Sequence, residues 1–102
     1  QKILKNKGVS AIFCADDTMA FGCLDYIKKN TKIKIPQDLE LIGYDDISMS
    51  NWKSYDLTTV KQPIRQMSKL VTQLIDDYIR DPDYEAINHI VRGSLIKRKT
   101  TR

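Results

Sequence analysis

Histidine and cysteine are scarce in this chain, and long apolar runs are missing altogether. The one histidine, His89, lies in the last extended run, far from any serine in a nucleophile elbow, and reads as a surface or strand residue rather than a catalyst. The two cysteines, Cys14 and Cys23, have no metal-ligand spacing. Cys14 falls in an apolar run and Cys23 on an apolar helix face, so both read as buried free thiols of a reducing cytosol. No apolar stretch approaches the roughly 18 residues of a membrane span, and no signal peptide is visible. GxGxxG, Walker, HExxH and GxSxG motifs are all lacking. So are a helix-turn-helix, zinc spacing, an aromatic–basic RNA motif, internal repeats and low-complexity tracts. No metal ligand set, cofactor site or catalytic group is expected.

What remains is an ordinary soluble composition. The chain has 102 residues, 41% apolar and 29% charged, enough for one small domain with a modest core. It begins at Gln1 rather than Met, which leads to the expectation of an excised, processed or engineered segment. The net charge is +4, with basic residues at the ends (Lys2, Lys5, Lys7; Lys97, Arg98, Lys99, Arg102) and at Lys28, Lys29, Lys32 and Lys34. Such a charge can attract nucleic acid. The plainer reading is solvated surface and helix C-terminal charge.

The most informative stretch is Leu41-Ile42-Gly43-Tyr44-Asp45-Asp46, an apolar strand that delivers two adjacent carboxylates. A similar place occurs earlier, where Ala11-Ile12-Phe13-Cys14-Ala15 runs into Asp16-Asp17. In open α/β sheets, ligands bind outside the carboxyl ends of strands. Two strands ending in Asp-Asp therefore suggest one shared polar rim. Four carboxylates could in principle form an acid/base pair or a Mg²⁺ site. No nucleophile or phosphate cradle accompanies them, so the simpler reading is that Asp17 caps a helix and Asp46 is solvated or caps a turn.

Gln1 to Gly8 reads as a helix end, Val9 to Cys14 as a buried strand, and Asp16 or Asp17 as the cap of a helix running to about Asn30. On that helix, Tyr26, Met19, Cys23, Ile27, Ala20 and Leu24 fill the arc expected to face the sheet. Phe21 falls outside it, beside charged residues, as an exposed aromatic or a subunit-interface residue. Thr31 to Asp38 is a loop and Leu39 to Tyr44 a second strand. Ile47 to Asp56 is irregular or one short helical turn, carrying Trp52 and Tyr55, and Leu57 to Lys61 is a third strand. Pro63 suits the first turn of a helix reaching Arg80. Its apolar half holds Ile64, Met67, Leu70, Val71, Leu74, Ile75, Tyr78 and Ile79. Ile87 to Arg98 is extended, with Gly93 at a possible bend. The alternation predicts an α/β fold with a mainly parallel sheet flanked by helices.

Four motifs together resemble the C-terminal signature of the lactose/galactose (LacI/GalR) repressor family of bacterial transcription regulators. They are Ala15-Asp16-Asp17-Thr18-Met19-Ala20-Phe21-Gly22, Ile35-Pro36-Gln37-Asp38-Leu39, Leu41-Ile42-Gly43-Tyr44-Asp45-Asp46 and Leu57-Thr58-Thr59-Val60-Lys61-Gln62-Pro63. Leu95-Ile96-Lys97-Arg98-Lys99-Thr100-Thr101 resembles the family's closing strand. Tyr55-Asp56 stand where the family often has prolines. The resemblance implies a three-layer, periplasmic-binding-protein-like lobe, with the DNA-binding headpiece and most of the other lobe outside this sequence. It divides the chain into a lobe core at 1–62, a crossover helix and strand of the other lobe at 63–91, and a closing strand and basic tail at 92–102. It also implies that Asp16, Asp45 and Gln62 contact a sugar-like effector, and that Phe21, Trp52 and Tyr55 lie at a homodimer interface. Operator DNA would be bound through the absent headpiece, in the cytoplasm and not at a membrane.

Two other classes compete with a repressor. One is the sugar-binding component of a transporter; the Leu-Thr-Thr-Val-Lys-Gln-Pro run and basic end favour the repressor. The other is a flavodoxin-like Mg²⁺-dependent enzyme using the Asp pairs. On the repressor reading, effector binding shifts the arrangement of two lobes and the spacing of headpieces on DNA. This segment alone would bind neither effector nor operator tightly. The helix from Pro63 would lack part of its apolar partner, leaving exposed apolar surface, exchange between copies or a compact rearrangement.

Overall fold

The structure is a computed structural model that describes residues 8–81, 83–85 and 87–102. The helix end expected over the first seven residues therefore lies outside the described residues. The elements run β1 (Ala11–Phe13), α1 (Asp17–Asn30), β2 (Glu40–Asp45), a 3₁₀ turn (Ser48–Asn51), β3 (Thr58–Lys61), α2 (Ile64–Arg80) and β4 (Ser94–Ile96). They form a four-stranded sheet in the order β1-β2-β3-β4. β1 and β2 are parallel with Phe13 opposite Ile42, and β2 and β3 are parallel with Asp45 opposite Lys61. The mainly parallel α/β architecture read from the alternation is what the chain adopts. The last extended run is shorter than expected, with only Ser94–Ile96 in the ladder.

The chain divides into two compact units. One comprises the described residues up to Lys61 together with Leu95–Arg102; the other is Gln62–Ser94. In the first, a parallel strand pair needs a crossover, and α1 supplies it. The Asp16 carboxylate caps the helix, its Oδ1 accepting the Met19 N–H at 2.7 Å. At the other end the backbone and hydroxyl of Thr31 both donate to the Ile27 carbonyl, and Lys28 and Lys29 sit favourably in the last turn.

The helix buries only part of the expected arc: Ala20, Leu24 and Ile27 are inside, as expected. Its buried positions are Asp17, Ala20, Phe21, Leu24 and Ile27, a stripe with i, i+3, i+4, i+7 spacing. Met19, expected inside, is 58% exposed, and Phe21, expected outside, is 5% exposed. Two contacts rotate the inward face. The Phe21 ring stacks on Tyr55 at a centroid distance of 4.2 Å, and the Asp17 side chain is drawn into a buried polar cluster. Cys14, Ala20, Phe21, Leu24, Leu41 and Leu57 make the core, with Ile12, Cys23, Ile35, Met49 and Tyr55 packed against it.

Burial raises the Cys14 thiol to about 11, the nearby Cys23 and Asp16 adding to the effect, and burial also raises Cys23. Thiolate is the reactive form. Cys14 is therefore expected to react with a disulfide reagent at pH 8 far more slowly than Cys23, and Cys23 more slowly than a free thiol. Timed labelling with mass spectrometry gives the order, and equal native rates would contradict it.

The basic C-terminal run is not simply solvated. Thr100 accepts the Thr58 N–H on its hydroxyl at 2.8 Å and the Leu41 N–H on its carbonyl at 2.9 Å. The Thr58 hydroxyl accepts the Arg98 N–H at 2.8 Å. Arg102 Nε donates to Glu40 Oε1 at 2.7 Å, which holds that carboxyl below its ordinary range. The tail is thus stitched across β2 and β3.

In the second unit α2 follows Pro63, as expected, but buries none of its residues. Met67, Leu70, Val71 and Leu74 line a shallow apolar groove of about 250 Å³ with Ile87 and Val91, and His89 lies at its wall. Ile64, Ile75, Tyr78 and Ile79 are exposed. Among the described residues no helix is long and apolar enough to cross a membrane.

Candidate functional site

Because β1, β2 and β3 are parallel, their carboxyl ends share one edge, and the carboxylates singled out in the sequence emerge there. Asp16 follows β1 and begins α1; Asp45 closes β2. Gln62 comes directly after β3 and opens the second unit, where it is half-buried. Both Asp16 and Asp45 are half-buried. The structure therefore brings Asp16 and Asp45 to one edge of the first unit.

The corner after β2 is sharp. Asp45 has φ 115° and Asp46 φ 53°, two consecutive non-glycine residues in a region costly for L-amino acids. Such conformations cost about 1–3 kcal/mol each and persist only when their surroundings fix them.

Asp17, read from the sequence as a cap, is instead the hub of that fixation. The cap is Asp16. Asp17 is 1% exposed. Its Oδ2 accepts the Ile47 N–H at 3.0 Å and the Ser50 hydroxyl at 2.5 Å, and its Oδ1 accepts the Thr59 hydroxyl at 2.5 Å. Thr59 Oγ1 in turn accepts the Asp46 N–H at 3.4 Å. Donors on both oxygens, together with the first turn of α1, allow a buried carboxylate. One sequence sign could have revealed this role: Asp17 shares a helical stripe with Ala20, Phe21 and Leu24.

Asp46 is neither solvated nor a cap. The 3₁₀ turn begins after Ile47 and has no side-chain cap. Asp46 Oδ1 pairs with Arg98 Nη2 at 2.7 Å, the side chains being 11% and 13% exposed, and Oδ2 lies 3.7 Å from Lys61 Nζ. Arg98 Nη1 also donates to the Leu57 carbonyl at 2.8 Å. Arg98, read as part of a solvated basic tail, is a half-buried structural arginine.

Of the three aromatic residues assigned to an interface, Phe21 and Tyr55 are engaged within the chain. They stack on each other, and the Tyr55 hydroxyl donates to Asp25 Oδ2 at 3.3 Å. The Lys28 ammonium lies over the Tyr55 ring and donates to the Ser54 carbonyl. Phe21 is a core residue here, since its neighbour on the stripe is the buried Asp17 and its ring has Tyr55 to cover it. Trp52 alone of the three is widely exposed, at 53%. Among the described residues no three His, Cys, Asp or Glu side chains are grouped to hold a metal ion.

A sheet whose parallel strands carry carboxylates at their carboxyl edge makes this an α/β lobe of the kind in which ligands bind outside the strand ends. Residues 2–101 match the model of the periplasmic binding protein-like domain, and the chain belongs to that family as a partial effector-binding domain of the LacI/GalR type. It is 34% identical over 93 residues to the HTH-type transcriptional repressor PurR of Vibrio atlanticus, covering 91% of this chain and 28% of the relative. To PurR of Vibrio cholerae it is 33% identical over 100 residues, covering 98% and 30%. The chain thus spans under a third of these relatives. Among solved structures, a LacI family regulator from Enterococcus faecalis with bound ribose superposes with TM-score 0.83 at 32% identity, over 98% of this chain and 37% of that one. The lac repressor dimer bound to operator and an anti-inducer superposes with TM-score 0.82 at 29% identity, over 98% and 35%.

Proposed function

We propose that this chain is the effector-sensing part of a cytoplasmic transcriptional repressor, with a binding rather than a catalytic role. The carrying observation is the placement of Asp16 and Asp45 on one carboxyl edge of a sheet that matches sugar-bound LacI-type regulators. The effector is a small sugar-like molecule whose hydroxyls donate to Asp45 and Asp16, with Gln62, directly after β3, as a further polar contact. Carboxylate oxygens are directional acceptors for such donors. Residues up to 62 serve as the core of one lobe, 63–91 as the crossover helix and strand of the other, and 92–102 as the returning strand. Operator DNA is bound by a headpiece outside this sequence, in a homodimer to which exposed Trp52 contributes. The relatives are repressors, which favours this reading over a transporter component or a Mg²⁺-dependent enzyme.

Titration calorimetry on the full-length protein with ribose, cellobiose and a purine panel tests the reading. One of these is expected to bind, and Asp45→Asn to weaken it at least about tenfold, the cost of roughly 1.4 kcal/mol. Equal affinity of Asp45→Asn and wild type would remove Asp45 from the site.

A further inference from the structure

Asp45 occupies a backbone conformation that an L-residue does not adopt unaided, and what holds it there is within reach. Its φ is 115° and that of Asp46 is 53°. The chain turns so tightly that the next two N–H groups point inward. The Asp46 N–H goes to Thr59 Oγ1 at 3.4 Å and the Ile47 N–H to Asp17 Oδ2 at 3.0 Å. Thr59 is itself oriented by donating to Asp17 Oδ1 at 2.5 Å. Both amides after Asp45 thus end on one buried carboxylate, directly or through one hydroxyl. Ser50 adds a third donor from the 3₁₀ turn at 2.5 Å, so the segment beyond the corner is pinned to the same group.

We propose that Asp17 is a positioning residue for effector binding: through Ile47, Ser50 and Thr59 it fixes the strained corner that aims the Asp45 carboxylate along the ligand edge. The proposal rests on the reading of Asp45 as an effector contact. The chemistry requires a carboxylate. Only an ionised acid accepts on both oxygens while donating nothing, whereas an amide would turn an NH₂ toward one of the three donors. The Ile47 N–H cannot accept, so the amide oxygen would stay on its side and the NH₂ would face Thr59; Thr59 Oγ1 would then accept from it, and its own hydroxyl proton would lose the Asp17 acceptor that orients Thr59 toward the Asp46 N–H. With Thr59 no longer oriented, the corner is expected to relax from its left-handed geometry, since such strain persists only where its surroundings fix it. Asp17 needs no contact with the ligand to do this. A contact group displaced by about 1 Å is enough to lose binding.

The test is Asp17→Asn in the full-length protein, with ribose as the probe and Leu24→Ala as the control. Leu24→Ala lowers stability from the same helix but touches no part of the corner. Ribose affinity is measured well below both melting temperatures, and a crystal structure of Asp17→Asn gives the backbone at Asp45 and Asp46. The expected result is a ribose Kd raised about tenfold by Asp17→Asn and unchanged by Leu24→Ala, with φ of Asp45 moved to negative values. Asp17→Asn that loses stability like the control but keeps its affinity and its corner overturns the proposal. If wild type does not bind ribose, the effector reading fails on that ligand, and the backbone at Asp45 still decides the positioning role. Should Asp17→Asn not fold, Ser50→Ala removes one donor and leaves the carboxylate; it is expected to weaken ribose about threefold, and an unchanged Kd and corner would overturn the proposal.

Discussion

Gly43→Ala is expected to destabilise the protein by about 3 kcal/mol or more, and it is one of the two most damaging single changes the structure identifies. A Cβ built on Gly43 would lie 2.2 Å from Asp17 Oδ1, 2.9 Å from Leu57 Cδ2 and 3.3 Å from Asp17 Cα. The leucine methyl can move, but the helix backbone cannot without shifting α1. The carboxylate oxygen cannot swing away without abandoning the Thr59 hydroxyl. Overpacking alone costs about 1–3 kcal/mol, and an orphaned buried hydroxyl or amide adds about 1–3 more. No described glycine has positive φ, so Gly43 is needed for space rather than for backbone freedom. Urea unfolding followed by circular dichroism measures the loss. The pairing has a signature: Asp17→Ala with Gly43→Ala should be less destabilised than the sum of the single changes, because the first removes the atom that the second strikes. Strict additivity, or a single-variant loss below about 1 kcal/mol, would show that the corner has slack.

That glycine also shows where sequence reading stops. Leu41-Ile42-Gly43-Tyr44 was legible as a strand, and the strand–helix alternation as a parallel sheet, because both rest on local periodicity. The 17 residues of α2 were equally plain from their two-sided pattern and Pro63. The division of labour between neighbouring aspartates was not. Asp16 and Asp17 are chemically identical, and only the third dimension decides that one caps the helix while the other meets Ser50, Thr59 and Ile47. Phe21 was misplaced for the same reason: a wheel centred on apolar residues alone omits the buried carboxylate that sets the inward face. Arg98 and Asp46 are separated by more than fifty residues, and no local pattern marks a basic residue near a chain end as the partner of an acid just beyond β2.

Arg98→Ala is expected to cost about 3 kcal/mol, far more than removal of any other basic residue in the tail. The guanidinium joins Asp46 Oδ1 at 2.7 Å and the Leu57 carbonyl at 2.8 Å. With both side chains of the pair nearly covered, removing one partner strands a charge; such losses run about 3–5 kcal/mol. Lys61, 3.7 Å from the other carboxylate oxygen, offsets part of the loss. Lys99→Ala makes the contrast: its ammonium is 3.2 Å from Asp56, but the side chain is 87% exposed, and pairs of that kind contribute about 1 kcal/mol or less. Urea unfolding at low and high salt should separate the two. The Lys99 contribution fades as salt screens it, while the Arg98 contribution persists because the surrounding protein excludes the ions. Asp46→Leu combined with Arg98→Leu should recover much of the stability lost in Arg98→Ala, since no stranded charge remains. Such recovery would mean that stability alone does not require this pair. What an apolar substitute cannot reproduce is its geometry. Lys61 is the last residue before the chain leaves the first unit at Gln62, and Arg98 follows its return at Leu95. A single carboxylate, next in sequence to the proposed effector contact, binds a residue at each crossing. The double variant is therefore expected to stay folded while the coupling between Asp45 and the two crossing strands weakens, read as faster hydrogen exchange at residues 58–62 and 95–99 against an unchanged α1.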